Sequence, residues 1–220
     1  MDARAHALLT QAAEWRLIGL LFECPTGTWR DDIVALARDS DDPLLGSAVA
    51  HALEEASEGL YHSMFGPGGP APPREVTYVK AVQLGYLLSE LTAFYDAFAY
   101  HPVTRESPDH VSVEAGFVGY LRLKEAYAVT REDDEQASVT ADAAAIFMRE
   151  HLSALAEPLA ATLDASGLAY LAEAARALAN RVGPPPSATA SPHGARLLPV
   201  IQPLEDEDEI ACEGTGGADV

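Results

Sequence analysis

The sequence predicts an all-α protein: a single helical bundle of about eight or nine helices, with one long Gly/Pro-rich loop and a disordered, acidic C-terminal tail. Three observations carry this expectation. Apolar residues recur at three- and four-residue spacing through most of residues 1–182. Period-two alternation of β-branched and aromatic residues, the mark of a half-buried strand, is nearly absent. From Gly183 onward the composition shifts to Pro, Gly, Ser and acids, which cannot bury enough apolar surface to offset the entropy of folding.

Taken in order, Leu8, Ala12, Trp15, Ile18 and Phe22 form a stripe that Leu9, Leu17 and Leu21 widen, so residues 3 to about 23 read as a helix that Pro25 ends. Thr28 before "WRDDIVALARD" offers a capped start with acids in the first turn of a second helix. A third is expected from Pro43 to Met64, with Leu44, Leu45, Val49, Leu53 and Leu60 inward. The stretch "YHSMFGPGGPAPPREVTY" interrupts the helices. "VKAVQLGYLLSELTAFYDAFAY" then resumes one, with a break near Gly85, and "HPVTRESPDH" is a loop by its two prolines. "VSVEAGFVGYLRLKEAYAVT" starts another helix with Val113, Phe117, Tyr120, Leu121 and either Lys124 or Tyr127 on one side. After the solvated start "REDDEQAS", residues 141–166 read as two helices divided near Pro158. "GLAYLAEAARALANRV" closes the folded part, giving a domain over 1–182 and a tail over 183–220. Within the tail, "RLLPVIQPL" is apolar enough to dock on the body or on a partner.

Charge narrows the function classes. Asp and Glu number 34 against 14 Lys and Arg, a net charge of −20. That excludes the basic footprint that nucleic acid or an anionic membrane requires, and it favours a basic partner. Lys80 and Lys124 are the only lysines, a bias that suits a protein of very high salt and equally a GC-rich genome. The N-terminal apolar run is broken by Gln11, Glu14 and Arg16, and nothing approaches the roughly eighteen unbroken apolar residues of a membrane helix. No export signal is visible, so the expected location is the cytoplasm. Cys24 and Cys212 lie far apart, without metal spacing or a disulfide framework, and read as reduced thiols.

Common catalytic and cofactor signatures are missing, so no enzyme activity and no cofactor are expected. "GPGG" at 66–69 lacks the Lys and Ser/Thr of a phosphate loop, and no strand precedes it. His110 and Glu114, four residues apart, would share a helix face where both could touch a metal ion, the basis of an alternative reading as a metal-dependent helical enzyme. Locally, Asp109 would instead cap that helix. "REH" at 149–151 reads as helix surface. A further alternative is an adaptor that works through its acidic tail.

Three fragments in order then carry a resemblance. They are Tyr61, Phe65, Gly66, Pro67 and Gly68; Pro72, Pro73, Glu75 and Tyr78; and Pro108, Asp109, His110 and Glu114. In spacing and in its acidic, all-helical setting the chain resembles the TorD/DmsD/NarJ family of cytoplasmic chaperones for molybdenum-containing redox enzymes, over about residues 10–182. One departure is Val76, where the family commonly has Ser. The resemblance implies a chaperone that binds the twin-arginine signal peptide or the apoprotein of a molybdopterin-containing catalytic subunit, assists cofactor insertion and prevents premature export. Its partner would be that subunit, and the chaperone itself a monomer or homodimer. It also implies Tyr61, Phe65, Gly66, Pro67, Glu75, Tyr78, Pro108, Asp109, His110 and Glu114 as the peptide-holding residues. A basic, apolar leader needs carboxylates beside an apolar groove. Tyr61, Phe65 and Tyr78 could equally pack the loop onto the bundle.

Overall fold

The computed structural model describes residues 2–80 and 82–185. The rest of the tail, with Cys212, the acidic run and "RLLPVIQPL", lies outside the described residues. Among the described residues the fold is all-α, with nine α-helices and no strand beyond one isolated bridge. They are α1 (Ala3–Leu21), α2 (Trp29–Ala37), α3 (Pro43–Glu55), α4 (Glu58–Phe65), α5 (Leu84–Ala97), α6 (Val111–Thr130), α7 (Asp134–Phe147), α8 (Ser153–Asp164) and α9 (Ala169–Val182). None of them is long and apolar enough to cross a membrane.

Helix α6 is the axis of the molecule: thirteen of its twenty residues are buried. Its most extensive neighbour is α1. The two come close because glycines stand at the contact. A Cβ on Gly19 would lie 2.9 Å from the Ser112 carbonyl oxygen, and one on Gly119 would lie 3.1 Å from that of Ala12. Behind α6, Tyr95 of α5 and Phe147 of α7 pack edge-on against Phe117, with centroids 4.9 and 4.8 Å away. Of the expected α6 stripe, Val113, Phe117 and Leu121 are buried. Lys124 takes the last position and donates to the Phe98 carbonyl (2.9 Å), while Tyr127 is exposed.

Several boundaries differ from the sequence expectation, each for a physical reason. Residues 43–64 form two helices. Arg30, reaching over from α2, donates to the carbonyls of Leu53 (2.6 Å) and Ala56 (2.7 Å), which closes α3. Ser57, in extended conformation, then caps α4 by accepting from the Leu60 N–H. Leu53, expected inside, is exposed as a result. Thr28 does not cap α2 but donates its hydroxyl to Asp32. Val79, Lys80, Val82 and Gln83 are not helical, and α5 begins only at Leu84. Finally, α7 and α8 are divided by a π turn (Met148–Leu152), whereas Pro158 lies inside α8. In that turn Ser153 Oγ donates to the Arg149 carbonyl (2.7 Å).

Candidate functional site

The Gly/Pro stretch is first of all a helix terminator. Gly66 follows α4 and its N–H returns to the His62 carbonyl (3.0 Å). A side chain at Gly66 or Gly69 would collide with the carbonyl of His62 or Met64, and Gly68 has φ +82°, so this turn accepts little except glycine. Pro67 is exposed at its tip. Ala71 N–H then bonds the Met64 carbonyl (3.2 Å), bringing the chain back beneath α4.

From there residues 73–75 run antiparallel to residues 109–111. Arg74 and His110 form the bridge, Glu75 N–H donates to the Asp109 carbonyl (2.8 Å), and Val111 N–H donates to that of Pro73 (2.9 Å). The second and third sequence fragments, more than thirty residues apart, are thus hydrogen-bonded to each other. Side chains lock the same join. Arg74 Nε and Nη2 donate to the Asp109 carboxylate at 2.9 and 2.8 Å, and Ser107 Oγ donates to it at 2.6 Å. Asp109 is fully buried and bound to Arg74, so it does not cap α6. His110 does, its Nδ1 accepting from the Ser112 N–H (3.2 Å). That fixes the tautomer: Nε2 carries the hydrogen and faces Tyr61 and Glu106. Burial lowers the His110 pKa to about 4, so the ring is neutral.

Beneath the join lies a second layer. Glu75 and Glu114 are fully buried and face each other. Burial, then the charges of Glu75 and Asp109, raise the Glu114 pKa well above the usual carboxylate range. Glu114 is therefore the protonated member of the pair. From the other side His151 Nδ1–H donates to Glu75 at 3.2 and 3.3 Å. The "REH" segment is not surface at His151: the π turn directs that ring inward, against Phe147 and Phe94.

Tyrosines brace the loops. Tyr61 donates to Glu106 (3.0 Å), Tyr78 to the Pro72 carbonyl (2.7 Å) and Tyr95 to the Pro108 carbonyl (2.7 Å). Burial pushes the Tyr78 phenol up to about 12. Tyr61 and Phe65 are buried and in edge contact (5.2 Å). Of the ten residues the resemblance indicates, only Pro67 is exposed, and Gly66, Tyr78 and Pro108 are half-buried. The other six are buried, joined to one another or to the core. His110 and Glu114 belong to different layers of this network, and among the described residues neither shares a cluster of three ligand groups, which leaves the metal-enzyme alternative without a site. Sequence reasoning missed His151, Arg74, Glu106 and Tyr95. Arg74 carried a local signal, as the base beside Glu75, and His151 a periodic one, four residues after Phe147 and four before Leu155.

The open surface is elsewhere. Between α1, α6 and the loop 99–110 runs a groove with a volume of about 420 Å³, its walls including Leu9, Ala13, Tyr100, Val103, Tyr120 and Leu123. At one end Arg16 pairs with Glu23 (2.7 Å). The polar network supports its floor: Tyr95, held by Pro108, packs on Tyr100 (5.3 Å), and Ser112, held by His110, lines the groove.

Among curated proteins no match is found. The family model of the nitrate reductase delta subunit does match, over residues 30–161, a span that holds all three fragments, the Arg74–Asp109 join and His151. Covering more than half of the chain, that match shows that the protein belongs to the nitrate reductase delta subunit family, a family of chaperones for molybdoenzyme maturation and not of catalysts.

Proposed function

We propose that this chaperone holds the N-terminal signal region of a molybdoenzyme catalytic subunit in the groove between α1, α6 and the loop 99–110, in the cytoplasm, until the cofactor is in place. The groove carries the reading: its walls are apolar, and Glu23, paired with Arg16, stands among its lining residues. A leader with a basic head and an apolar segment is complementary to it, and the net charge of −20 draws such a head in. Glu23 and Glu106 take the basic residues; Glu106 neighbours the groove through Thr104, whose hydroxyl accepts its N–H (3.2 Å).

The ten residues of the family fragments then act by positioning. Loop 99–110 forms one wall, and the Arg74–Asp109 and His110–Ser112 bonds fix where that wall stands. A rigid wall lowers the ordering cost of binding.

The test is photo-crosslinking from position 123 or 103 in cells making a molybdoenzyme with a twin-arginine leader. Crosslinks are expected to map to the leader. Crosslinks confined to the mature body of the subunit, or none while the complex still forms, would reject the groove as the leader site.

A further inference from the structure

Where α1 ends, outside both the polar network and the groove, three metal-ligating groups converge. Cys24 Sγ, a carboxylate oxygen of Glu58 and a ring nitrogen of His62 all lie within 4.8 Å of one another. Glu58 and His62 are one turn apart on α4, with His62 Nε2 3.7 Å from Glu58 Oε1. We propose that Cys24, Glu58 and His62 form a three-ligand site for a zinc-class divalent ion, with the fourth position left to water or to a group from a bound partner.

The geometry fits such an ion. Tetrahedral zinc with bonds of about 2.0–2.3 Å places its donors roughly 3.3–3.8 Å apart. The Glu58–His62 pair already has that spacing. Both side chains are more than half exposed, so rotamer changes alone can close the remaining distance to the sulfur. The backbones, by contrast, are fixed. Phe22 at the end of α1 packs on Phe65 of α4 (6.2 Å), the Thr26 N–H holds the Cys24 carbonyl (2.8 Å), and Ser57 caps α4. A thiolate and an imidazole in one set select zinc-like ions over magnesium or calcium. Cysteine spacing along the chain gives no sign of this site, because its ligands come from two separate elements.

The test uses tag-free, full-length protein titrated with Co²⁺ and then Zn²⁺, and needs no client, so its outcome is independent of the groove. A near-ultraviolet sulfur-to-cobalt charge-transfer band is expected. It should be lost in Cys24→Ser, kept in Cys212→Ser and displaced by stoichiometric Zn²⁺. Glu58→Gln and His62→Ala, at exposed positions that cannot unfold the chain, should each weaken Co²⁺ by roughly tenfold or more. No charge-transfer band, a band that follows Cys212, or affinity unchanged in both α4 variants would overturn the proposal.

Discussion

The N-terminal end of α6 has two contrasting sides. On one, His110 and Glu114 enter a sealed polar network of carboxylates, imidazoles and one guanidinium. On the other, Ser112, Val113 and Gly116, themselves buried, floor an apolar groove whose wall residues Val103 and Leu123 are exposed. Polar residues are thus buried where two loops are held together, and apolar residues are exposed along the groove. The residues of the three fragments that carry the resemblance belong mostly to the sealed side. On the proposed reading these fragments act by holding the groove wall in place.

Breaking the sealed side should have the largest effect. Arg74→Met leaves the Asp109 carboxylate buried with Ser107 as its main remaining donor, and is expected to cost about 3–5 kcal/mol in urea unfolding. Next comes the seam between the two sides. Gly119→Val forces a side chain against the Ala12 carbonyl and the Arg16 amide, for a loss of about 1–3 kcal/mol together with a distorted groove.

The titrating groups sharpen the comparison by sign. Glu114 has a raised folded-state pKa, so its contribution to stability is full below the unfolded value of about 4.3 and is lost as pH rises through the folded value. Glu114→Gln should match the parent in acid and become more stable than it as pH rises, as read by urea midpoints across pH. His110 behaves oppositely: with a folded pKa of about 4 against an ordinary 6.5, its contribution is present above pH 6.5 and lost as pH falls towards 4. His110→Asn keeps a good helix cap and should flatten that acid slope. The smallest stability effect belongs to the open side. Leu123→Asp, at an exposed wall position, should stay within about 0.5 kcal/mol of the parent yet weaken leader binding at least roughly tenfold in a fluorescence titration.

The helices were legible because burial imposes its period on the sequence, and α1, α2, α6 and α9 lie within a few residues of where that period put them. Breaks made from a distance were not. Nothing within residues 43–64 announces that Arg30 will take the carbonyls of Leu53 and Ala56. The site was half legible. Glu75, Asp109, His110 and Glu114 stand in recognisable fragments, but their burial depends on Arg74 meeting Asp109 and on His151 meeting Glu75 across 76 positions of chain. His151 reads as surface beside Arg149 and Glu150, yet it stands four residues after Phe147 and four before Leu155, on the buried face.

That turn also constrains how the chain can change length. Phe147, His151, Leu155, Leu159 and Leu163 are all buried, each four residues from the last. On a regular helix a four-residue step overshoots one turn by about 40°, so such a ladder winds away from its face. The wider turn at Met148–Leu152 absorbs part of that rotation. Deleting one residue there would restore an ordinary helix, and because the five residues of the wide turn wind about as far as four on an α-helix, Leu155, Leu159 and Leu163 would keep their phase with α9. Residues 134–164 therefore behave as a geared rod with slack at one place: a one-residue deletion is absorbed at Met148–Leu152, whereas the same change elsewhere rotates the far end by about 100°.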